Sequence, residues 1–254
     1  MNKIKQQIQE VLDADTTNLK MELPIALGKL EDGRICFRDL TSLKNLLIAG
    51  SIGQGKTSCL NGIIISLSNK NLFWKPKLIL ISSKGYSSLC RLNSSTLAVT
   101  EYCEIMYTLE KLDKEMENWW KLFKEKGVKS LEEYENDFLD FVTIQRIVVV
   151  IDDYDELARM DKVKIENLIV HLAMLGHQVG IHLIISIRQM IVYNVITGRI
   201  KAVIPARIAF RVISENESRI ILDREGAEEL DNVGKLIFSH YDEFLTLQGI
   251  QIGE

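Results

Sequence analysis

One segment, residues 45–67, limits the possible folds of this chain more than any other. Its sequence is NLLIAGSIGQGKTSCLNGIIISL, in which an apolar run ends at Gly50 and three glycines fall within residues 50–55. Apolar residues then recur at the spacing of a helix. A buried strand that passes through a glycine-rich turn into a helix is a unit of α/β proteins, so the segment predicts that class.

Short apolar strands alternate with longer helical segments along the rest of the chain, with no internal repeat. This alternation predicts an α/β fold with a mostly parallel central sheet and helices on both faces. Two further strands, joined by a turn at Asp32-Gly33, precede the glycine-rich segment, and a short helix is predicted at residues 3–14. The other predicted strands lie at residues 45–49, 77–82, 146–151, 181–187 and 207–212, and the other predicted helices at residues 56–68, 101–126, 130–141 and 162–175.

Composition narrows the class of protein. The 254 residues are 46% hydrophobic and 26% charged, which is the balance of a folded chain. The net charge of −4 means that any contact with nucleic acid would need a local patch or a ring of subunits. No apolar run approaches the ~18 residues that span a bilayer, and the amino terminus lacks an apolar signal core. We therefore expect a cytoplasmic protein, which would reach a membrane only through a partner or through an amino-terminal region absent from this sequence.

The four cysteines, Cys36, Cys59, Cys90 and Cys103, are scattered, with no CxxC pair and no neighbouring set of histidines. This spacing favours thiols in a reducing compartment over a metal site or a disulfide framework. We expect all four side chains to be buried.

Residues 50–57, GSIGQGKT, match G-x-x-x-x-G-K-[ST] at every fixed position. Glycines let backbone N–H groups wrap a phosphate, and the helix that follows points its positive dipole end at the same anion. Lys56 would reach the β- and γ-phosphates of ATP, and the Thr57 hydroxyl would bind Mg²⁺. A glycine turn with a surface lysine is the alternative, which the flanking strand and helix disfavour. The predicted nucleotide-binding residues are Gly50, Ser51, Ile52, Gly53, Gln54, Gly55, Lys56, Thr57 and Ser58.

The stretch RIVVVIDDYDEL supplies the carboxylate that such a loop needs. Its apolar run ends in Asp152, which at the carboxyl end of a parallel strand would lie beside the loop and hold the Mg²⁺ shell. Asp153 follows and would orient or deprotonate the attacking water. An acidic turn at a strand end is the alternative. It is plausible for Asp155 and Glu156 and disfavoured for Asp152.

With both motifs placed, the chain resembles the motor domain of the FtsK/SpoIIIE family of DNA translocases from about residue 23 to its carboxyl terminus. The stretches LPIALGK, NLLIAGSIGQGKTSCLN and GIHLIISIRQ resemble the lead-in strand, the Walker A region and the sensor strand of that family. The most specific resemblance is the stretch VITGRIKAVIPARIAFRVISENESRIILDREGAEEL, residues 195–230.

This resemblance implies a RecA-like P-loop ATPase domain at residues 23–254, preceded by a helical lead-in at residues 1–22. It also implies a motor that uses ATP and Mg²⁺ and moves along double-stranded DNA as a ring, a hexamer, in chromosome or conjugative-element transfer. Two other classes stay open. One is an ATPase module of a type VII-like secretion system, which moves polypeptide, and the other is a slow or inactive nucleotide-binding assembly subunit.

Three departures from the family pattern bear on these expectations. The family has Asp-Glu where this chain has Asp152-Asp153. Its sensor strand ends in Thr-Gln-Arg-Pro, where residues 187–190 of this chain read Ile-Arg-Gln-Met. Gln189 can orient a water but cannot accept its proton at neutral pH. These first two departures, at Asp152-Asp153 and at residues 187–190, therefore concern the rate of hydrolysis. The transmembrane region and the winged-helix domain of the family have no counterpart in this sequence, which concerns membrane anchoring and direction.

By the same resemblance, Arg207 and Arg219 are candidates for the catalytic arginine that reaches into the nucleotide site of a neighbouring subunit. Arg207 could instead cap an acid at the start of a strand. Arg219 could instead pair with Glu215 at i, i+4. For each arginine, the sequence does not decide between the catalytic role and this structural alternative.

Two segments could contact DNA. Thr197, Arg199 and Lys201 lie where the family has a loop near the central channel, and they would contact phosphates. An exposed helix face is the alternative for these three residues. Aromatic residues in the charged stretch KLDKEMENWWKLFKEKGVKSLEEYEND could stack on bases, but the interspersed acids favour the buried stripe of a helix.

Asp153 is one methylene shorter than glutamate, so we expect slow turnover with near-normal nucleotide binding. Its carboxylate falls roughly 1.5 Å short of the position that holds the attacking water, and a displacement of about 1 Å can cost on the order of 100-fold in rate. Asp153→Glu should therefore raise kcat. The measurement is DNA-stimulated kcat for the parent, Asp153→Glu and Asp153→Ala. A parent that is already fast, and that both substitutions cripple, would contradict slow turnover.

Overall fold

The computed structural model describes residues 21–69, 75–82, 96–138, 144–188 and 195–250. The predicted helix at residues 3–14, most of the predicted lead-in, Cys90 and Gln189 lie outside these ranges.

One sheet contains all the described strands. They are β1 (Pro24–Lys29), β2 (Ile35–Asp39), β3 (Leu46–Ala49), β4 (Lys77–Ile81), β5 (Thr96–Val99), β6 (Ile147–Ile151), β7 (Ile181–Ile187), β8 (Ala206–Phe210), β9 (Lys235–His240) and β10 (Glu243–Gln248). Their order across the sheet is β2-β1-β10-β9-β8-β3-β7-β6-β4-β5.

The described helices are α1 (Leu40–Leu43), α2 (Lys56–Leu67), α3 (Tyr102–Lys126), α4 (Leu131–Phe138), α5 (Tyr154–Met160), α6 (Lys162–Leu175), α7 (Gly198–Val203) and α8 (Glu215–Leu222), with a 3-10 turn at Gly176–Val179. Throughout the ranges given above, each helix is too short or too polar to cross a bilayer.

Strands β5, β4, β6, β7, β3 and β8 run parallel, so the predicted parallel sheet is confirmed. The ends of the predicted strands fall within two residues of the observed ends. The sheet continues beyond β8 with antiparallel strands β9, β10, β1 and β2. The sequence predicted the β1–β2 hairpin but neither the edge strand β5 nor the β9–β10 hairpin. Strand β9 mixes buried and partly exposed residues, and Leu247 is the only buried residue of β10, so these two strands lack the continuous apolar runs of the buried parallel strands.

The parallel strands other than the edge strand β5, which is largely exposed, are buried on both faces because their alternate residues enter two separate cores. In β6, Val149 and Ile151 face the core formed with the larger set of helices, α3 to α8. Val148 and Val150 face the opposite core, formed with α2 and the antiparallel strands. The prediction of helices on both faces is confirmed, and the double burial explains the unbroken Val/Ile run of this strand.

The aromatic residues of the charged stretch pack inside the protein. Phe123 is fully buried, and its ring centroid lies 5.8 Å from that of Trp119 and 6.0 Å from that of Trp120. Tyr134 of α4 adds a further ring, 5.9 Å from Phe123. These residues form the buried stripe that joins α3 to α4, as the sequence favoured.

The expectation for the cysteines is wrong at one described position. Cys36 and Cys59 are buried, but Cys103 is exposed. Cys103 lies in the first turn of the amphipathic helix α3, whose polar face points to solvent, so its position on the helix outweighs the usual preference of cysteine for the interior.

A buried arginine forms ion pairs at the amino-terminal ends of the parallel strands. The Arg146 guanidinium, just before β6, lies 2.6 Å from a carboxylate oxygen of Glu22 and 2.8 Å from one of Glu135. A second nitrogen donates to the other oxygen of Glu135 at 2.9 Å. Burial raises the pKa of Glu22, and Arg146 opposes that rise. The cluster ties the chain before β1 and helix α4 to the central strands.

Arg146→Met should destabilise the protein by about 3–5 kcal/mol at pH 7, because it leaves buried carboxylates without a cation. In the variant, burial raises the pKa of Glu22 and no arginine opposes that rise. Protonated Glu22 needs no cation, so the stability of the variant is present at low pH and is lost as the pH rises through the folded-state pKa of Glu22. The deficit should therefore shrink at pH 5. Urea unfolding at both pH values measures this. The matched control is Arg34→Gln, which removes an exposed ion pair with Asp32 in the β1–β2 turn and should change little. Equal stabilities for the two variants would contradict the prediction.

Candidate functional site

The carboxyl ends of four parallel strands meet at one edge of the sheet. Ala49, the last residue of β3, pairs with Ile187 of β7 on one side and with Ala209 of β8 on the other. Beyond β7, Ile151 of β6 pairs with Ile185. The loop after β3, the acidic stretch after β6 and the residue after β7 therefore lie side by side, as the sequence predicted for the two motifs.

The loop after β3 has the backbone of a phosphate-binding loop. Gly50, Gly53 and Gly55 all have positive φ, at 148°, 77° and 108°. A Cβ on Gly50 would lie 2.7 Å from the Cβ of Phe210, which is fully buried beneath the loop, so no larger residue fits there. Gly55 is the N-cap of α2 and offers no side chain to the first N–H groups of the helix. Those groups are left to bind an anion.

Two other segments hold this loop in place. The Ser51 N–H donates to the carbonyl of Arg211, just after β8, at 2.9 Å. The Gly234 N–H, just before β9, donates to the carbonyl of Gln54 at 3.1 Å, and Gly249 donates in turn to Gly234 at 2.7 Å. The loop is thus clamped by the end of β8 and by the ends of the β9–β10 hairpin.

Lys56 is folded into the loop. Its side chain is only 6% exposed, and its ammonium donates to the carbonyls of Gly50 and Ser51, both at 2.8 Å. Burial lowers the pKa of Lys56 to about 8, although Asp153 favours the charged form while Arg188 disfavours it. The group therefore still carries its charge at neutral pH, held within the loop.

The other predicted ligands lie at the mouth of the loop. Thr57 is exposed and Ser58 is half-buried, both in the first turn of α2, and Ile52 stands on the outer rim at 68% exposed. Across the described ranges, no group of three or more histidine, cysteine or acidic side chains is arranged to hold a metal. Mg²⁺ bound with a nucleotide needs only one or two protein ligands besides water and phosphate oxygens. Thr57 and Asp152 fit that requirement.

Asp152 is held by a serine on the neighbouring strand. The Ser186 hydroxyl, in β7, donates to Oδ1 of Asp152 at 2.5 Å and accepts from the Asp153 N–H at 3.2 Å. The Asp152 N–H donates to the carbonyl of Ile81 in β4. Ser186 is itself almost fully buried. The carboxylate of Asp152 is therefore oriented by a buried donor on the adjacent strand.

Asp153 is buried and engaged in an ion pair. Its backbone is left-handed, with φ 61° and ψ 48°, and the residue is 4% exposed. Oδ1 of Asp153 lies 2.5 Å from Nε of Arg188, the residue after β7. Arg188 also pairs with Glu156, and its N–H donates to Oδ1 of Asp155 at 3.0 Å. The predicted catalytic carboxylate is thus held by a guanidinium from its own chain.

Of the two candidate arginines, Arg207 is the more fully engaged. It forms an ion pair with Asp223 and donates to the carbonyls of Ile221 and Lys201, both at 3.1 Å. It lies near the start of β8, opposite Leu47, and so away from the edge that carries the loop.

Arg219 lies on the surface of α8. Its side chain is 54% exposed, and it pairs with Glu225 and, at 3.8 Å, with Glu215. The i, i+4 pair with Glu215 is the alternative that the sequence offered. The catalytic roles of both arginines stay predictions.

The candidate DNA-contacting residues of α7 dock this helix onto its neighbours. Thr197 is the N-cap of α7, and its hydroxyl donates to Glu166 of α6 at 2.8 Å. Arg199 donates to Asn167 at 2.8 Å, and Lys201 pairs with an acid at the end of α8. The positive charges are partly neutralised within the chain.

Sequence reasoning missed several residues that shape the site. Ser186 and Arg188 orient the two aspartates, and Phe210 and Gly234 support the loop. A polar residue within the apolar strand IHLIISI was the available signal for Ser186, because a buried hydroxyl needs a partner. No local signal pointed to the others. The predicted catalytic residue Gln189 lies outside the described residues.

Comparison with known sequences gives consistent matches. A model of the FtsK/SpoIIIE family matches residues 7–192. The DNA translocase FtsK of Caldanaerobacter subterraneus subsp. tengcongensis is 37% identical over 237 residues, which are 91% of this chain and 33% of that protein. The DNA translocase FtsK of Bacillus cereus is 36% identical over 246 residues, 91% of this chain and 30% of that protein. The chain thus spans about a third of the length of these curated relatives.

Solved structures share the fold. The pCW3 conjugation coupling protein TcpA, in a monomer form with ATPγS, superposes with a TM-score of 0.78 at 26% identity, covering 92% of this chain and 67% of that one. The cytoplasmic domain of the type VII secretion ATPase EccC of Thermomonospora curvata gives a TM-score of 0.75 at 19% identity, covering 95% of this chain and 30% of that one. The predicted P-loop ATPase fold is confirmed.

Ser186→Ala should weaken Mg²⁺ binding to the nucleotide complex by about 10- to 100-fold, because groups that orient a metal ligand typically have effects of that size. The measurement is nucleotide binding as a function of Mg²⁺ concentration, by calorimetry. Ser239→Ala is the matched control, since Ser239 is a buried serine of the same sheet, in β9. The same Mg²⁺ dependence in both variants would show that Ser186 has no part in holding the metal.

Proposed function

This chain belongs to the FtsK/SpoIIIE family, and from that membership we propose that it is an ATP-hydrolysing motor domain that translocates double-stranded DNA. The observation that carries the proposal is a complete glycine-rich loop motif after β3 and Asp152 after β6, the two strands that flank β7, in a chain that matches DNA translocases along 91% of its length. The domain would occupy residues 23–254, after a helical lead-in at residues 1–22. Chromosome or conjugative-element transfer is the process that its relatives suggest.

In this proposal, ATP binds on residues 50–58 with its phosphates in the loop. Lys56 would leave the carbonyls of Gly50 and Ser51 for the β- and γ-phosphates. Thr57 and Asp152 would hold Mg²⁺, which neutralises charge on the phosphates when bound. Ser186 keeps Asp152 in position through its 2.5 Å hydrogen bond.

Asp153 would orient the attacking water and accept its proton, with Gln189 as a second orienting group. An arginine from a neighbouring subunit would stabilise the transferring phosphoryl group, as part of a ring, a hexamer. Arg219 suits that role better than Arg207 because it is exposed and its partners are surface acids, whereas Arg207 is bound to two carbonyls and an acid within its own chain.

DNA would contact α7 through Thr197, Arg199 and Lys201. The net charge of −4 for one chain is compatible with this, because positive groups repeated around a ring add up along the phosphate backbone. The existing pairs of Arg199 and Lys201 with other side chains would have to exchange for DNA phosphates.

A slowly hydrolysing nucleotide-binding subunit is the second candidate function. One observation favours it, namely the ion pair between Asp153 and Arg188, which occupies the predicted catalytic carboxylate. The two candidates differ in turnover and in the response to DNA, not in the nucleotide site.

Linear double-stranded DNA should stimulate steady-state ATP hydrolysis by the parent chain.

Lys56→Ala should weaken ATP–Mg²⁺ binding about tenfold to a hundredfold by calorimetry, because a buried cation that faces two phosphates has no substitute. Lys164→Ala, which removes an exposed lysine paired with Glu110 on α3, is the matched control and should bind ATP normally. Equal binding by the two variants would contradict the nucleotide site. Hydrolysis that DNA leaves unchanged would contradict the translocase and favour the second candidate.

A further inference from the structure

Arg188 occupies the position between the phosphate-binding loop and the acidic stretch. Ile187 pairs with Ala49, so Arg188 and Gly50 are the next residues at the same level on adjacent strands. On its other side, β7 runs beside β6, which leads into Asp152 and Asp153. The guanidinium contacts the predicted catalytic carboxylate. It is also near enough to Lys56 of the loop that its charge opposes the charged form of that ammonium and so lowers the pKa of Lys56.

Among the described residues, Arg188 bonds to the acidic stretch. Its Nε lies 2.5 Å from Oδ1 of Asp153, a second nitrogen pairs with Glu156, and its backbone N–H donates to Asp155 at 3.0 Å. The side chain of Asp153 is 5% exposed and that of Arg188 is 21% exposed, so water screens this pair weakly. The bond from its backbone N–H to Asp155 fixes the backbone of Arg188 and does not involve the guanidinium.

A carboxylate in this pair is a poor base. The guanidinium stabilises its charged form and occupies Oδ1, one of the two oxygens that could hold a water. Asp153 becomes available only if Arg188 finds another anion. A guanidinium binds phosphoryl oxygens with the same fork geometry that it uses for carboxylates, and the loop that would hold phosphate lies at its own level in the sheet.

We propose that Arg188 is a positioning residue that works as a nucleotide-operated latch. Without a terminal phosphate it holds Asp153 in the ion pair. With a nucleoside triphosphate in the loop it turns to the terminal phosphate and releases Asp153 to the water. This inference rests on the proposed nucleotide site, and it adds to it a residue that distinguishes a triphosphate from a diphosphate.

The latch predicts a selective effect on binding. Arg188→Gln should weaken ATPγS–Mg²⁺ binding about tenfold or more, the usual effect of one hydrogen bond to a charged group, and should leave ADP–Mg²⁺ binding unchanged. Arg188→Lys should recover part of the loss, because it keeps the charge without the fork. Arg34→Gln, which removes an exposed arginine of the β1–β2 turn, should change neither affinity. All four proteins are compared as the full chain by calorimetry, with thermal melting to check folding.

A second variant tests the latch from the other side. Asp153→Asn frees Arg188 without altering the arginine, so ATPγS should bind more tightly. Removing a carboxylate also relieves its repulsion of phosphate, and the double variant Arg188→Gln/Asp153→Asn measures that separate effect. The gain in ATPγS affinity from Asp153→Asn should be at least about three times as large when Arg188 is present as in the Arg188→Gln background.

The outcomes separate the two proposals. If the parent binds neither ATPγS nor ADP, the proposed nucleotide site is wrong and the latch is overturned with it. If the parent binds both but Arg188→Gln weakens both equally, or weakens neither, the nucleotide site stands and the latch is overturned. Equal gains in ATPγS affinity from Asp153→Asn in both backgrounds also overturn the latch. If Arg188→Gln lowers stability, the Arg188→Lys background replaces it. The gain from Asp153→Asn in the parent is then compared with the gain from Asp153→Asn in Arg188→Lys.

Discussion

Strand β3 is hydrogen-bonded in parallel to β7 on one side and to β8 on the other, with Ala49 opposite both Ile187 and Ala209. A slip of one residue would turn every side chain of β3 to the other face, so the apolar packing on both faces holds this alignment. The alignment sets the glycine-rich loop level with Arg188, and it places Phe210, the last residue of β8, beneath that loop. The site depends on this register more than on any single polar contact.

The site concentrates opposite charges in a small, poorly solvated space. Burial works against the charged form of Lys56, and Asp153 supports it. Each cation is satisfied within the chain, Lys56 by loop carbonyls and Arg188 by the acidic stretch. Binding a polyphosphate here would exchange these contacts for new ones. Such an exchange lowers affinity, because existing bonds are given up, but it also makes binding selective for a ligand that replaces them all.

Charged side chains away from the site mainly hold helices in place. Asp223, at the end of α8, pairs with Arg207 of β8 and Lys201 of α7, and so joins three elements. Thr197 and Glu166 join α7 to α6 in the same way. These contacts connect the predicted DNA-contacting helix to the helix that packs beside the acidic stretch. A surface that binds phosphates would therefore be built from groups that already have partners in the isolated chain.

Local sequence was enough to predict the α/β class, all the described parallel strands except β5, the glycine-rich loop between strand and helix, and the place of Asp152 at a strand end. These features depend on residues that are close together in the chain, and local periodicity and glycine spacing encode them. The tertiary structure alone decided that Arg188 pairs with Asp153, that Arg207 is engaged within its own chain, that β9 and β10 support the loop, and that Cys103 is exposed. Long charged side chains have many possible partners at similar energies, and strand register, which joins distant segments, selects among them.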